Sequence, residues 1–204
     1  NASRCVALHL FRRKTVNKKH ISLDTLAGII RTEIINEARG LVRVDMGAPR
    51  LTQGEIPMAG NPAETAVNFP LSAAGQTFHG TAVSMGNPHL VIFTPDINKV
   101  PLSVWGPQLE THPLFPRKTN VEFVQVLDDK TVRMRVWERG AGITQACGTG
   151  SCATAVACVL NHKTEKNITV KLDGGDLFIE WPEQKNIFMT GLAQAVFSGE
   201  YWGE

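Results

Sequence analysis

The sequence lacks any apolar run approaching the roughly 18 residues that span a bilayer, and no charged start leads into an apolar segment. Neither a membrane span nor a secretory signal is expected. It also lacks an excess of either charge: 21 basic residues are scattered among 19 acidic ones, for a net charge of +2. Without a basic face, nucleic acid and anionic membrane drop out as partners, and a small molecule is the expected one. Cysteine is sparse as well. Cys5, Cys147, Cys152 and Cys158 are too few for a disulfide framework in a chain of this size, and such frameworks belong to small secreted domains. The four read as reduced thiols, in a cytoplasmic setting. His9, His20, His79, His112 and His162 show no metal-ligand spacing with the cysteines, so no metal is expected.

What is present is an ordinary globular balance, 43% hydrophobic and 20% charged, with material for one large core or two small ones. Ser3 to Phe11 reads as a helix apolar on nearly every side, ending in Arg12-Arg13-Lys14, and such a helix is expected to be buried. Short β-rich runs follow at Gly28 to Ile35 and Leu41 to Asp45. Gly47-Ala48-Pro49 breaks the pattern. The division drawn from this is residues 1–47 as one domain, 48–190 as a second, and 191–204 as a last strand returning to the first.

Within the second region, Phe78 to Ser84 and His89 to Phe93 read as strands amid Pro-rich loops. Val121 to Leu127 with Thr131 to Trp137 reads as a hairpin, as does Ile168 to Leu172 with Leu177 to Trp181. Between the hairpins, Cys152 to Leu160 is a second helix apolar or small all round, again one that must be buried. Strand-rich segments enclosing one buried helix, occurring twice, predict two related α+β domains. Asn1-Ala2-Ser3 before the first helix echoes Thr149-Gly150-Ser151 before the second.

The run Glu138-Arg139-Gly140-Ala141-Gly142-Ile143-Thr144-Gln145-Ala146-Cys147-Gly148-Thr149-Gly150 reads as strand, turn and helix start. A cysteine at a helix N-terminus meets free N–H groups and the positive end of the helix dipole, which predicts a stabilised thiolate. The same N–H groups would hold a carboxylate beside the sulfur. The plainer reading makes Cys147 one more small buried residue, but the flanking Gly148 and Gly150 favour function. Cys5, Cys152 and Cys158, inside apolar helices, read as core. A further alternative is a Cys nucleophile with His89 as base. Gly86-Asn87-Pro88-His89 is a proline-restrained turn that either handles protons or only shapes the loop.

Taken together, Asn1-Ala2-Ser3-Arg4-Cys5, Val44-Asp45-Met46-Gly47, Met85-Gly86-Asn87-Pro88-His89, Thr119-Asn120-Val121-Glu122-Phe123, Glu138-Arg139-Gly140-Ala141-Gly142 and Ala146-Cys147-Gly148-Thr149-Gly150 resemble the diaminopimelate epimerases. The resemblance implies two pseudo-symmetric α+β domains, each a barrel-like sheet around a central buried helix, with the first incomplete here. It implies inversion at one α-carbon of LL-diaminopimelate, without pyridoxal phosphate or other cofactor, in lysine and peptidoglycan precursor synthesis, and a homodimer is compatible with it.

By the same resemblance Cys147 is one of two acid/base thiols. His89 and Glu138 assist the thiols and handle the substrate's amino group, while Gly148, Thr149 and Asn1 bind the reacting carboxylate. Asn87, Asn120 and Arg139 grip the distal end, where a guanidinium fork suits a carboxylate. The alternatives are a surface ion pair for Glu138 and Arg139 and a turn residue for Asn120. The sequence departs from the family in three places. Ala2 replaces a usual glycine, Ile143 stands where Glu is frequent, and the Cys-Gly pair that carries the second thiol would sit just before Asn1. An upstream segment is therefore expected, and residues 1–204 alone are expected to be inactive.

Overall fold

The structure, a computed structural model, describes residues 2–25, 28–200 and 202–203, with Gln184 described by its backbone alone. The chain divides into two compact units, residues 1–45 with 190–204, and residues 46–189.

The first unit holds α1 (Ala2–Arg12) and the antiparallel strands β1 (His20–Thr25), β2 (Gly28–Asn36) and β3 (Leu41–Asp45). Alternation puts Ile21, Ile34 and Val42 on one face, where they meet Ala7, Leu8 and Ala193, as the period-2 pleat requires. The turn into β3 needs glycine at Gly40. Its φ is +67°, and a Cβ there would stand 2.3 Å from the Ala193 carbonyl oxygen.

The expectation that α1 is buried all round does not hold. Arg4, Ala7 and Leu8 are its buried residues, whereas Val6 is 45% exposed and Cys5 is exposed. The three strands cover one face of the helix, and within residues 1–204 Cys5 lies outside the core. Residues 190–204 fall in the first unit; of them Thr190 to Leu192 end β12 (Phe188–Leu192), and residues 193–200 form no regular element.

The second unit is a mixed sheet in the order β11, β10, β8, β7, β6, β5, β4, with β9 attached to β8. Its strands are β4 (Phe69–Ala73), β5 (Gln76–Ser84), β6 (Pro88–Phe93), β7 (Asn120–Val126), β8 (Thr131–Glu138), β9 (Gly142–Thr144), β10 (Asn167–Leu172) and β11 (Gly175–Glu180). Both expected hairpins form, β7 with β8 and β10 with β11. Pro70 is tolerated because β4 is an end strand of this sheet and pairs only with β5, leaving one side free of ladder bonds. The sheet is open and does not close on itself.

Two helices serve this sheet. The later one, α3 (Gly148–Leu160), packs against β5, β6, β7, β8, β10 and β11 and is buried at every residue from Gly150 to Cys158. That is the expected outcome for a helix with no polar face. The other, α2 (Leu102–Glu110), is a helix where loop was expected. Gly106 and Pro107 signal a break, but a Cβ on Gly106 would stand 2.6 Å from the Trp137 ring. Close packing on that ring, with Leu102 and Leu109 in the core beside Phe115 and Phe123, overrides the local preference. Phe78, Trp105 and Phe123 meet there edge to face or tilted, with centroids 5.1 to 6.2 Å apart, a favoured aromatic geometry.

Candidate active site

Strand register gathers the chemistry at one end of the central strands of the second unit's sheet. β6 and β7 run parallel with His89 opposite Asn120. β8 returns antiparallel to β7 with Trp137 opposite Val121, which brings the end of β8, Glu138, to the beginning of β7.

Cys147 is the N-cap of α3. Its backbone is extended, at φ −131° and ψ 112°, and its sulfur accepts the Gly150 N–H at 3.3 Å. That contact satisfies one orphan donor of the first turn. The N–H groups of Gly148 and Thr149 have no intrahelical acceptor. Thr149 Oγ1 lies 3.6 Å from the sulfur.

The thiol is not activated in the resting protein. Burial pushes Cys147 up to about 12, the nearby Glu122 and Glu138 carboxyls push the same way, and the bonds from Thr149 and Gly150 only partly offset them. These surroundings run against the expected stabilised thiolate: loss of water and two acidic neighbours outweigh the Thr149 and Gly150 hydrogen bonds. Cys152 and Cys158 are fully buried core residues, as expected.

His89 and Glu122 form a buried pair, both fully enclosed, with Nδ1 and Oε1 2.7 Å apart. The other ring nitrogen, Nε2, faces Asn87 Oδ1 at 3.2 Å. Asn87 Nδ2 in turn donates to Thr149 Oγ1 at 3.3 Å. Both His89 nitrogens are therefore engaged away from Cys147, which removes the geometric basis for a Cys nucleophile with a His base. His89 is fully buried, with Glu122 on one ring nitrogen and Asn87 on the other.

Glu122 is the residue that sequence reasoning missed. A glutamate on a β-strand reads by default as a solvent-facing side chain, yet this one is enclosed, and burial pushes its carboxyl above the ordinary value of 4.5 against the pull of His89. The available signal is its place between Val121 and Phe123, with Val124 next in the strand.

Asn120 is neither a turn residue nor free. Its Nδ2 donates to the Pro88 carbonyl at 2.8 Å and its Oδ1 accepts the Arg139 N–H at 2.9 Å, so it ties the Asn87 turn to the 138–141 turn. Glu138 accepts from the Thr144 hydroxyl, and the Arg139 guanidinium donates to the Arg117 carbonyl at 3.0 Å. These two do not pair with each other among the described residues. The structure thus brings Cys147, Thr149, Asn87, His89 and Glu138 together with Glu122, while the Arg139 guanidinium is exposed and bonded elsewhere. Asn1 lies outside the described residues.

Comparison with known proteins extends beyond this end of the sheet. The family model described as diaminopimelate epimerase matches residues 81–196, which include every predicted site residue except Asn1. A diaminopimelate epimerase of Pelotomaculum thermopropionicum is 56% identical over 98% of this chain and 72% of its own length. One from Bacillus cereus is 48% identical over 98% of this chain and 71% of its own. Among solved structures, a hydroxyproline epimerase from Agrobacterium vitis superposes with a TM-score of 0.66 at 14% identity, covering 93% of this chain and 63% of that one, a likeness of fold. A cysteine capping a buried helix, the strand ends that face it and these identities lead to one conclusion: the chain belongs to the diaminopimelate epimerase family.

Proposed function

We propose that this protein epimerises LL-diaminopimelate to the meso form by proton transfer between thiols, with Cys147 as one of the two, in lysine and peptidoglycan precursor synthesis. Inversion requires one group to take the α-proton from one face while another delivers a proton to the opposite face, each within hydrogen-bond reach. The observation that carries the reading is the capping geometry of Cys147. It sets a sulfur beside the unused N–H groups of Gly148 and Thr149, where a substrate carboxylate and the charge developing next to it are both stabilised.

Burial keeps Cys147 protonated at neutral pH, so in the resting protein it is the proton donor. A substrate ammonium near Glu138 would neutralise one of the carboxylates that oppose thiolate formation, easing the reverse role. Gly148 and Thr149 bind the reacting carboxylate, and Asn87 belongs with the distal grip. Arg139, whose guanidinium is exposed, would leave the Arg117 carbonyl to grip the distal carboxylate.

The second thiol is not among the other three cysteines described. Cys5 is exposed within α1, and Cys152 and Cys158 are enclosed in α3. The four free thiols suit a reducing compartment, and the reading places the reaction in the cytoplasm with no cofactor. The test is incubation of the complete gene product with LL-diaminopimelate and resolution of the stereoisomers by chiral chromatography. Meso product supports the reading. Turnover of another amino acid with none of diaminopimelate would reassign the substrate.

A further inference from the structure

Glu122 is costly where it stands. It lies in the middle of β7, fully buried, and its Oε2 has no hydrogen-bond partner among the described residues. A buried carboxyl left half satisfied is destabilising compared with an apolar residue of similar size, so its presence there calls for a role.

Hydrogen-bond arithmetic supplies one. Asn87 Nδ2 donates to Thr149 Oγ1, so the atom of Asn87 that faces His89 Nε2 is the amide oxygen, which has no hydrogen to give. Nε2 must carry the proton of that bond. The 2.7 Å contact at Nδ1 holds a second proton, on either the imidazole or the carboxyl. The pair therefore carries two protons and no net charge, whichever partner holds the second.

We propose that Glu122 is a positioning residue for Cys147. Its shared proton holds His89 as a donor to Asn87 Oδ1, which turns Asn87 Nδ2 onto Thr149 Oγ1 and leaves the Thr149 hydroxyl hydrogen directed at the Cys147 sulfur. The hydroxyl then donates to the thiolate whenever Cys147 gives up its proton. With an apolar residue at 122, His89 is free to adopt the tautomer that accepts at Nε2. Asn87 then rotates to donate there, its oxygen takes the Thr149 hydroxyl, and the sulfur loses its donor. The inference rests on the reading of Cys147 as a reacting thiol, but not on the identity of the substrate.

The titratable groups around Cys147 are Glu122 from β7, Glu138 from the end of β8 and, behind Glu122, His89 from β6. From α3 itself come the Gly150 and Thr149 hydrogen bonds. The experiment is the pH profile of Cys147 alkylation by iodoacetamide in the complete gene product, read by peptide mass spectrometry, alongside kcat and KM for epimerisation. Removing the carboxylate also removes a repulsion, so the Glu122→Met profile alone is ambiguous, and Glu122→Gln and Thr149→Val decide.

Glu122→Gln can donate to Nδ1 as a protonated carboxyl does. It is expected to keep kcat within threefold of wild type and to titrate Cys147 no higher than wild type. Glu122→Met is expected to lose at least tenfold in kcat with KM within twofold. Thr149→Val is expected to move the Cys147 profile upward in pH. Wild-type kcat in a folded Glu122→Met, failure of Gln to recover it, or an unchanged profile in Thr149→Val overturns the proposal. Should Glu122→Met not fold, Thr149→Val and Glu122→Gln settle the matter. An upward shift in Thr149→Val in a protein inert toward diaminopimelate would leave this proposal standing and remove the substrate assignment.

Discussion

Gly150 and Glu122 compete for one space: a Cβ on Gly150 would stand 2.6 Å from Oε1 of Glu122, and 3.2 Å from the Cys147 sulfur. The second glycine of Cys-Gly-Thr-Gly is thus explained by a carboxyl on a neighbouring strand. Gly150→Ala should destabilise by about 1–3 kcal/mol through overpacking, although alanine is the better helix former by about 1 kcal/mol. The double variant Gly150→Ala/Glu122→Ala should recover much of the loss, giving a coupling energy well away from zero in a double-mutant cycle. Additive effects in chemical denaturation would show that the two side chains do not share that space.

Cys147 caps α3 as well as facing the site, so alanine and serine should differ there. Cys147→Ala removes the acceptor of the Gly150 N–H and should cost about 0.5–2 kcal/mol, the usual loss for a cap. Cys147→Ser retains an acceptor and should unfold close to wild type. Both should be inactive. Equal stability of the two variants would remove the capping role.

Burial raises Cys147 from an ordinary 9.0 to about 12 in the folded chain. The unfolded chain therefore releases this proton first as pH rises, and the stabilisation is complete below pH 9 and lost on the way to pH 12. The stability of wild type relative to Cys147→Ala should accordingly fall between pH 9 and pH 12. A constant difference over that window would show the thiol is not desolvated as described.

Three of the four cysteines are enclosed and one is not. Brief iodoacetamide treatment of residues 1–204 at neutral pH should therefore modify Cys5 well ahead of Cys147, Cys152 and Cys158, as peptide mapping would show. Fast modification of Cys147 without ligand would contradict both its burial and its raised pKa.

Glu110 supports the site from α2. Its carboxyl accepts from Trp137 Nε1 at 2.7 Å and from the Gly140 N–H at 3.1 Å, and so clamps the turn that carries Glu138 and Arg139. Glu110→Ala should destabilise by about 1 kcal/mol, chiefly through loss of the bond from the half-buried Trp137 indole, and should raise KM more than it lowers kcat. An unchanged KM would show that the turn holds without it.

Much of this was legible in the residues. Period-2 runs located β5 to β8 and both hairpins, and the all-round apolar stretch after Gly150 located α3 and hence the cap at Cys147. What the sequence concealed are outcomes of tertiary context. Leu102 to Glu110 fell among Pro-rich loops, yet Gly106 is what lets α2 approach Trp137. The apolar composition of α1 overstated its burial, because burial depends on what covers it. The upward shift at Cys147 was hidden because the helix N-terminus is visible in sequence, whereas the burial of the thiol and the nearby carboxyl of Glu122 arise only from tertiary packing. Asn120 looked like a turn or ligand residue because its two backbone partners, at Pro88 and Arg139, are distant in sequence.

The most direct test of the central claim is incubation of the complete gene product with diaminopimelate in D2O, with deuterium at the α-carbon followed by mass spectrometry. The account predicts deuterium incorporation that accompanies inversion in the wild type and inversion abolished in Cys147→Ser. Inversion that persists in a folded Cys147→Ser, or a wild type that inverts without acquiring solvent deuterium, would contradict it.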